Sequence, residues 1–446
     1  MPENDLTMGT HDTAPIVVPA EEPNPAERPS RGRHGRPRRA GAAIAAIITV
    51  LVTVVLWVAA FLGGWTFQRT VAQSNGEPAA VLVATWMRDN GMGPIVAQLE
   101  NVYYRYVSPP EVGGTPTVSA DITAEDDAGL ASPSAAPAAT PSASASTAST
   151  APTAPSATAR ASASHLMPPP PITSPVSQPE PKEGQWQPVG SRVGGIPAMY
   201  VTRVRADDVH TKYYASVLWI DTTLAKAMYV PGSLEPSGGP NPFDGALPKE
   251  FWPQVLANVN GPFRLEDSMG GYAYDGQVIK PLVKGKATTV VFRDGSIRIG
   301  KWGRDFSELT PDMMSVRQNL NLIVDRGQSK VSSPTDNVVW GATTDKESLA
   351  WRAALGQRPD GSIVYVGSPF LSAEGLADTL VRAGVERAMV LDMNNWWTAG
   401  FYFRHKPDGT PLCRKLDPAI QEGCDRFLKP YKRDSYHFLA NQPVTS

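Results

Sequence analysis

Charge of one sign, cysteine and histidine are all scarce in this chain, and each scarcity closes off a class of function. Lysine and arginine number 41 against 43 aspartate and glutamate, a formal net charge of −2. No basic face dominates, which argues against a dedicated nucleic-acid binder. Cysteine occurs twice, as Cys413 and Cys424, with no histidine pair close by, a poor set for a zinc site. His210, His405 and His437 are too scattered to suggest a metal centre or a triad, and no Gly-x-Ser-x-Gly elbow occurs. No cofactor or metal is expected.

Proline, by contrast, is abundant: 43 residues, too many for one globule, which points to disordered linkers. Long apolar runs are rare but one is present. Gly41 to Trp65 is uncharged, with only Thr49 and Thr53 carrying hydroxyls. About 25 helical residues reach roughly 37 Å, enough for a hydrocarbon core of about 30 Å. A buried core helix would show a polar face over that length, and a cleaved signal peptide would have a shorter apolar region nearer the start. The run therefore predicts one transmembrane helix over 40–67. Arg28, Arg31, Arg33, Arg36, Arg38 and Arg39 precede it and, by the positive-inside rule, stay in the cytoplasm. The expected topology is a single-pass plasma-membrane protein with residues 1–39 a disordered cytoplasmic tail and the rest extracytoplasmic.

Beyond that run, residues 78–106 place Val81, Leu82, Thr85 and Trp86, then Ile95, Val96, Leu99 and Val102, at helical spacing around Asn90-Gly91-Met92-Gly93-Pro94. Two short amphipathic helices follow from that pattern, lying on a membrane surface or docked on the distal domain. Over 108–185 the composition collapses to Pro, Ala, Ser and Thr, a flexible tether. The globular domain is assigned to 186–446. Tyr214–Ile220 reads as a strand with Ala225–Val230 as its partner, and Asp294-Gly295 and Asp360-Gly361 mark hairpins. Ser372 caps a helix with an apolar stripe at Leu376, Ala377, Leu380 and Val381. The expected fold class is α+β, a mixed β-sheet domain with hairpins and a few helices, preceded by the transmembrane helix and the disordered linker.

Two stretches depart from what packing alone would select. Ala257 to Phe263 alternates apolar and polar residues into an Asn260-Gly261-Pro262 turn. Leu391 to Thr398 puts Asp392 at a strand end, followed by Asn394, Asn395, Trp396 and Trp397. Indoles stack on pyranose faces while amides and carboxylates fix hydroxyls, so this is a plausible sugar-binding set. Each member also has a plainer reading: Asp392 as a turn cap, Asn260 as a turn former, Arg352 as a partner for a surface acid, the indoles as core.

In their order and spacing, Asn260-Gly261-Pro262-Phe263, Arg352-Ala353-Ala354-Leu355-Gly356 and Leu391-Asp392-Met393-Asn394-Asn395 resemble the phosphodiester glycosidases. The resemblance covers about Tyr214 to Phe403. The family's signature glycines after the aspartate are replaced here by Met393, Asn394 and Asn395, and the second turn glycine by Pro262. By this resemblance the catalytic residues would be Asp392, Arg352 and Asn260, with Arg352 holding a phosphate and Asp392 acting as acid or base. Asn394, Asn395, Trp396, Trp397, Gly261 and Glu266 would contact the substrate, and Glu266 is a candidate second carboxylate.

Two readings of function follow. One is an envelope hydrolase of a sugar-1-phosphodiester; the other is a catalytically inactive glycan-binding or scaffolding protein of the envelope. The expected partners are the membrane, through one helix, and an envelope glycan or sugar phosphate. Cys413 and Cys424, with ten residues between them, lie in the part expected outside, where oxidation would join them in a disulfide.

Overall fold

The computed structural model describes residues 38–103, 106, 110–127, 165–331, 340–341 and 349–445. The chain divides into two units, 1–65 and 66–446. The expected cytoplasmic tail lies outside the described residues, apart from its last two.

A helix runs Arg38–Ala72, and within it Thr53 returns its hydroxyl to the Thr49 carbonyl at 2.8 Å. Among the described residues, however, no helix is long and apolar enough to cross a membrane. Side chains in this helix are described only from Thr49 on, with gaps. The transmembrane helix expected over 40–67 is corrected accordingly.

In the second unit, tight turns decide the architecture. Val291 faces Ile297 across Asp294-Gly295, and Gln357 faces Ile363 across Asp360-Gly361. All named strand pairs are antiparallel, in sheets of eight, five, five and three strands. The α+β class with a mixed sheet is therefore corrected to a mostly β fold of four antiparallel sheets. The physical reason is visible at the helix Ala373–Arg382, which connects strands Ile363–Leu371 and Arg387–Val390. A helical crossover normally sets two parallel strands side by side. Here strand Ala350–Gln357 lies between them and pairs antiparallel with both. Ser372 caps that helix by accepting the Gly375 amide.

The eight-stranded sheet is buried on both faces, as strand alternation requires. Val217, Trp219, Ala354, Val364 and Val366 meet the helix through Leu376 and Leu380. Leu218, Ile220, Ala353, Leu355 and Tyr365 belong to a second cluster with Ala257, Val259, Phe401 and Tyr436 of a five-stranded sheet. That sheet runs Pro411–Lys415, Gly400–His405, Val255–Asn260, Ser435–Ala440, Ala225–Val230. Ala225–Val230 is thus not the partner of Tyr214–Ile220. Asp221 binds the Thr223 amide and hydroxyl at 2.8 and 2.6 Å, turning the chain from one sheet into the other.

Of the tether expected over 108–185, residues 108–109 and 128–164 lie outside the described residues. The described pieces pack on the domain. Ile122 and Ile172 are buried, Glu125 takes a fork of bonds from Arg203 at 2.9 and 2.7 Å, and Asp126 pairs with Arg404. Helices Ala79–Asp89 and Gly93–Val102 also lie against it, with Val81 on the main core.

Candidate functional site

Four strand ends meet at one place. Strand Val255–Asn260 ends at Gly261, and strand Ser435–Ala440, antiparallel to it with Ser435 opposite Asn260, starts one residue after Asp434. Arg387–Val390 ends just before Leu391-Asp392, and Met313–Gln318 contributes Arg317. Backbone bonds lock them: Gly261 N–H to the Asp434 carbonyl at 2.9 Å, and Asp392 N–H to the Gly261 carbonyl at 3.0 Å. Gly261 is thus bonded through its backbone to both Asp434 and Asp392. A Cβ there would lie 2.6 Å from Asp434 Cγ and 2.7 Å from its carbonyl oxygen, so only glycine fits.

Each carboxylate has one arginine. Arg433 pairs with Asp392, and Arg317 Nε donates to Asp434 Oδ2 at 3.0 Å, where the Tyr229 hydroxyl also donates at 2.7 Å. Asp434 Oδ1 is buried with no hydrogen-bond partner. Asp392 is 7% exposed and Asp434 1%. Burial raises the pKa of Asp392 above the usual carboxylate range, against the pull of Arg433 and Arg88, and the Asp434 charge adds to the rise. Burial raises Asp434 likewise, against Arg317, Arg433 and the Tyr229 bond. Two neighbouring carboxyls raised above their ordinary pKa are suited to holding and passing a proton. Among the described residues no group of three or more His, Cys, Asp or Glu side chains could hold a metal ion.

The structure brings Asn260, Gly261 and Asp392 together but gives Asn260 a supporting part. Its amide donates to the carbonyls of Gly261 (3.1 Å) and Asp392 (3.2 Å), and its oxygen accepts from the Tyr365 hydroxyl (3.0 Å) and the Ala399 amide (3.2 Å). Every hydrogen-bonding position of that side chain is used. Arg352 is buried, with Nε on the Leu371 carbonyl at 2.9 Å and Nη1 on the Trp340 carbonyl at 3.1 Å. Glu266 is exposed and pairs with Arg264. Asn394 accepts the Trp396 amide at 2.8 Å, shaping a turn, so Trp396 and Trp397 do not lie on a strand. Asn395 is half-buried in that turn. Trp397 is buried edge-on to Tyr431, with Arg433 5.1 Å and Lys432 5.2 Å from its ring centre.

Sequence reasoning missed Arg433, Asp434, Arg317 and Tyr229. A signal for two of them was there: Lys432-Arg433-Asp434, three charges in a row, immediately precede the buried strand that starts at Ser435. Arg317 and Tyr229 lie mid-chain in ordinary strands and carry no local mark.

No family model matches this chain, and no curated protein matches it. Among solved structures it is similar to the zebrafish N-acetylglucosamine-1-phosphodiester alpha-N-acetylglucosaminidase catalytic domain, auto-inhibited by pro-peptide. The identity is 12% over 58% of this chain and 88% of that one, with a TM-score of 0.36. It is also similar to a hypothetical protein from Synechocystis, at 8% identity over 56% of this chain and 64% of that one, TM-score 0.33. Likenesses this slight carry no argument about the site, which stands on its own geometry.

Proposed function

We propose that unit 66–446 is an extracytoplasmic hydrolase of a sugar-1-phosphodiester in envelope glycans, with Asp434 and Asp392 as its acid and base. The observation that carries this reading is the pair of buried aspartates bonded to Gly261 through the backbone, Asp434 with an unpartnered carboxyl oxygen. Protonated Asp434 donates to the bridging oxygen as the bond from it to the sugar C1 breaks. Ionised Asp392 takes a proton from the water that attacks C1, leaving free sugar and a phosphomonoester. Arg433 is the guanidinium suited to the phosphate, in place of Arg352, whose donors face backbone carbonyls. The Cys413–Cys424 disulfide supports an oxidising compartment. Full-length protein should release sugar from a model sugar-1-phosphodiester. Asp392→Asn and Asp434→Asn should each cut turnover by about 10²–10⁴-fold; turnover at the parent's rate in either variant would sink the assignment.

A second reading, a glycan-binding domain without catalysis, is favoured by the saturated Asn260 and by the bulk of Met393, Asn394 and Asn395 where the resembled family has glycines. It requires wall glycan to bind with equal affinity to the parent protein and Asp392→Asn, with no turnover in either.

A further inference from the structure

Two cations beside the site, Lys432 and Arg264, each meet a carboxylate from one segment of the chain, and Arg264 also meets Glu235 and Glu266. Glu77, its side chain fully buried, pairs with Lys432 Nζ at 2.5 Å, directly before Arg433 and Asp434. Asp89, at the end of helix Ala79–Asp89, pairs with Arg264, three residues after Gly261. Between them Arg88 is near enough to pull the Asp392 pKa down, while its own guanidinium holds Glu100 at 2.7 Å. The Asn75 amide reaches the Pro430 carbonyl at 3.4 Å. The segment from Asn75 to Val102 thus lies along the residues that build the site.

It is lightly held there. Its helices have 11 and 10 residues, neither with a side-chain N-cap, and helices that short are marginal alone. Each buries one apolar side chain, Leu82 and Val96, and leaves Val83, Ile95, Leu99 and Val102 exposed. Few buried contacts mark a segment from the low-stability end of a fold.

We propose that Lys432 and Arg264 form an anion-binding rim beside the Asp392–Asp434 pair, and that Glu77 and Asp89 fill that rim as internal stand-ins for the substrate's charge. The segment is a lid, and an anionic ligand opens it by competing for the same two cations. This inference rests on the reading of Asp392 and Asp434 as the reacting pair, but its test does not.

In full-length protein, Glu77→Gln with Asp89→Asn removes both stand-ins, so that with the lid shut Lys432 faces no carboxylate of the segment and Arg264 keeps only Glu235 and Glu266. Carbodiimide labelling of Asp392 and Asp434, read by peptide mass, should then run about tenfold faster or more. Inorganic phosphate should speed labelling of the parent protein in the same direction. Labelling unchanged in a double variant with parental circular dichroism overturns the lid. Should the double variant not fold, Asp89→Asn alone, at the partly exposed pair, must still show faster labelling, and no increase there overturns it equally. Faster labelling without sugar release by any variant keeps the lid and counts against the hydrolase.

Discussion

Gly261 shows how little room one residue can have. Its missing side chain is what lets Asp434 lie against it, since an added Cβ would run into both the carboxyl carbon and the carbonyl of Asp434. Backbone atoms on a locked strand end cannot give way. Gly261→Ala is expected to lower stability by about 2–4 kcal/mol, read as a fall in denaturant midpoint at unchanged slope; a loss under about half a kcal/mol would show that the strand end yields. The residue scale is also where sequence served best and then stopped. Asn260-Gly261 and Asp392 were legible because turn chemistry and a carboxylate at a strand end are local signals. Arg352 was equally visible, but a guanidinium on a strand does not announce that it will meet the Leu371 and Trp340 carbonyls and the Met393 sulfur beside Asp392.

At the scale of elements, hairpins were legible wherever Asp-Gly fixed the return, as at Val291–Ile297. The pairing of Ala225–Val230 was not, because Asp221 redirects the chain through side-chain bonds that periodicity does not encode. The disulfide belongs to this scale too. Cys413 lies on the edge strand Pro411–Lys415, and Cys424 ends a loop whose Ile420 packs into the main core. Closing that loop restricts the unfolded chain, a contribution of about 2–3 kcal/mol. Cys413→Ser with Cys424→Ser should lower the melting temperature and leave the labelling rates of Asp392 and Asp434 as they are. The bond tethers an edge strand and touches neither carboxylate. A variant melting with the parent protein would show that the loop is ordered without the bond.

Across the whole molecule, two groups of carboxylates titrate in opposite senses, and the difference separates function from stability. Arg304 bonds Asp325 at 2.8 Å through each of two nitrogens, and those bonds hold its pKa below the usual value. A depressed carboxyl stabilises the fold above its unfolded pKa, and that contribution is lost as pH falls through the folded value. Burial raises Asp392 and Asp434 instead. Whatever stability they add is complete below the unfolded pKa of about 3.9 and is lost as pH climbs through their raised values. The same climb deprotonates the proposed acid. Turnover should therefore fall on an alkaline limb lying above the ordinary carboxylate range, while the steep loss of melting temperature appears on the acid side. Asp434→Asn should remove that limb along with most of the rate and, by replacing a costly buried charge, flatten the alkaline decline in stability. Turnover and melting temperature declining together over one pH range would mean that activity is lost by unfolding, and the proton assignment to Asp434 would fall with it.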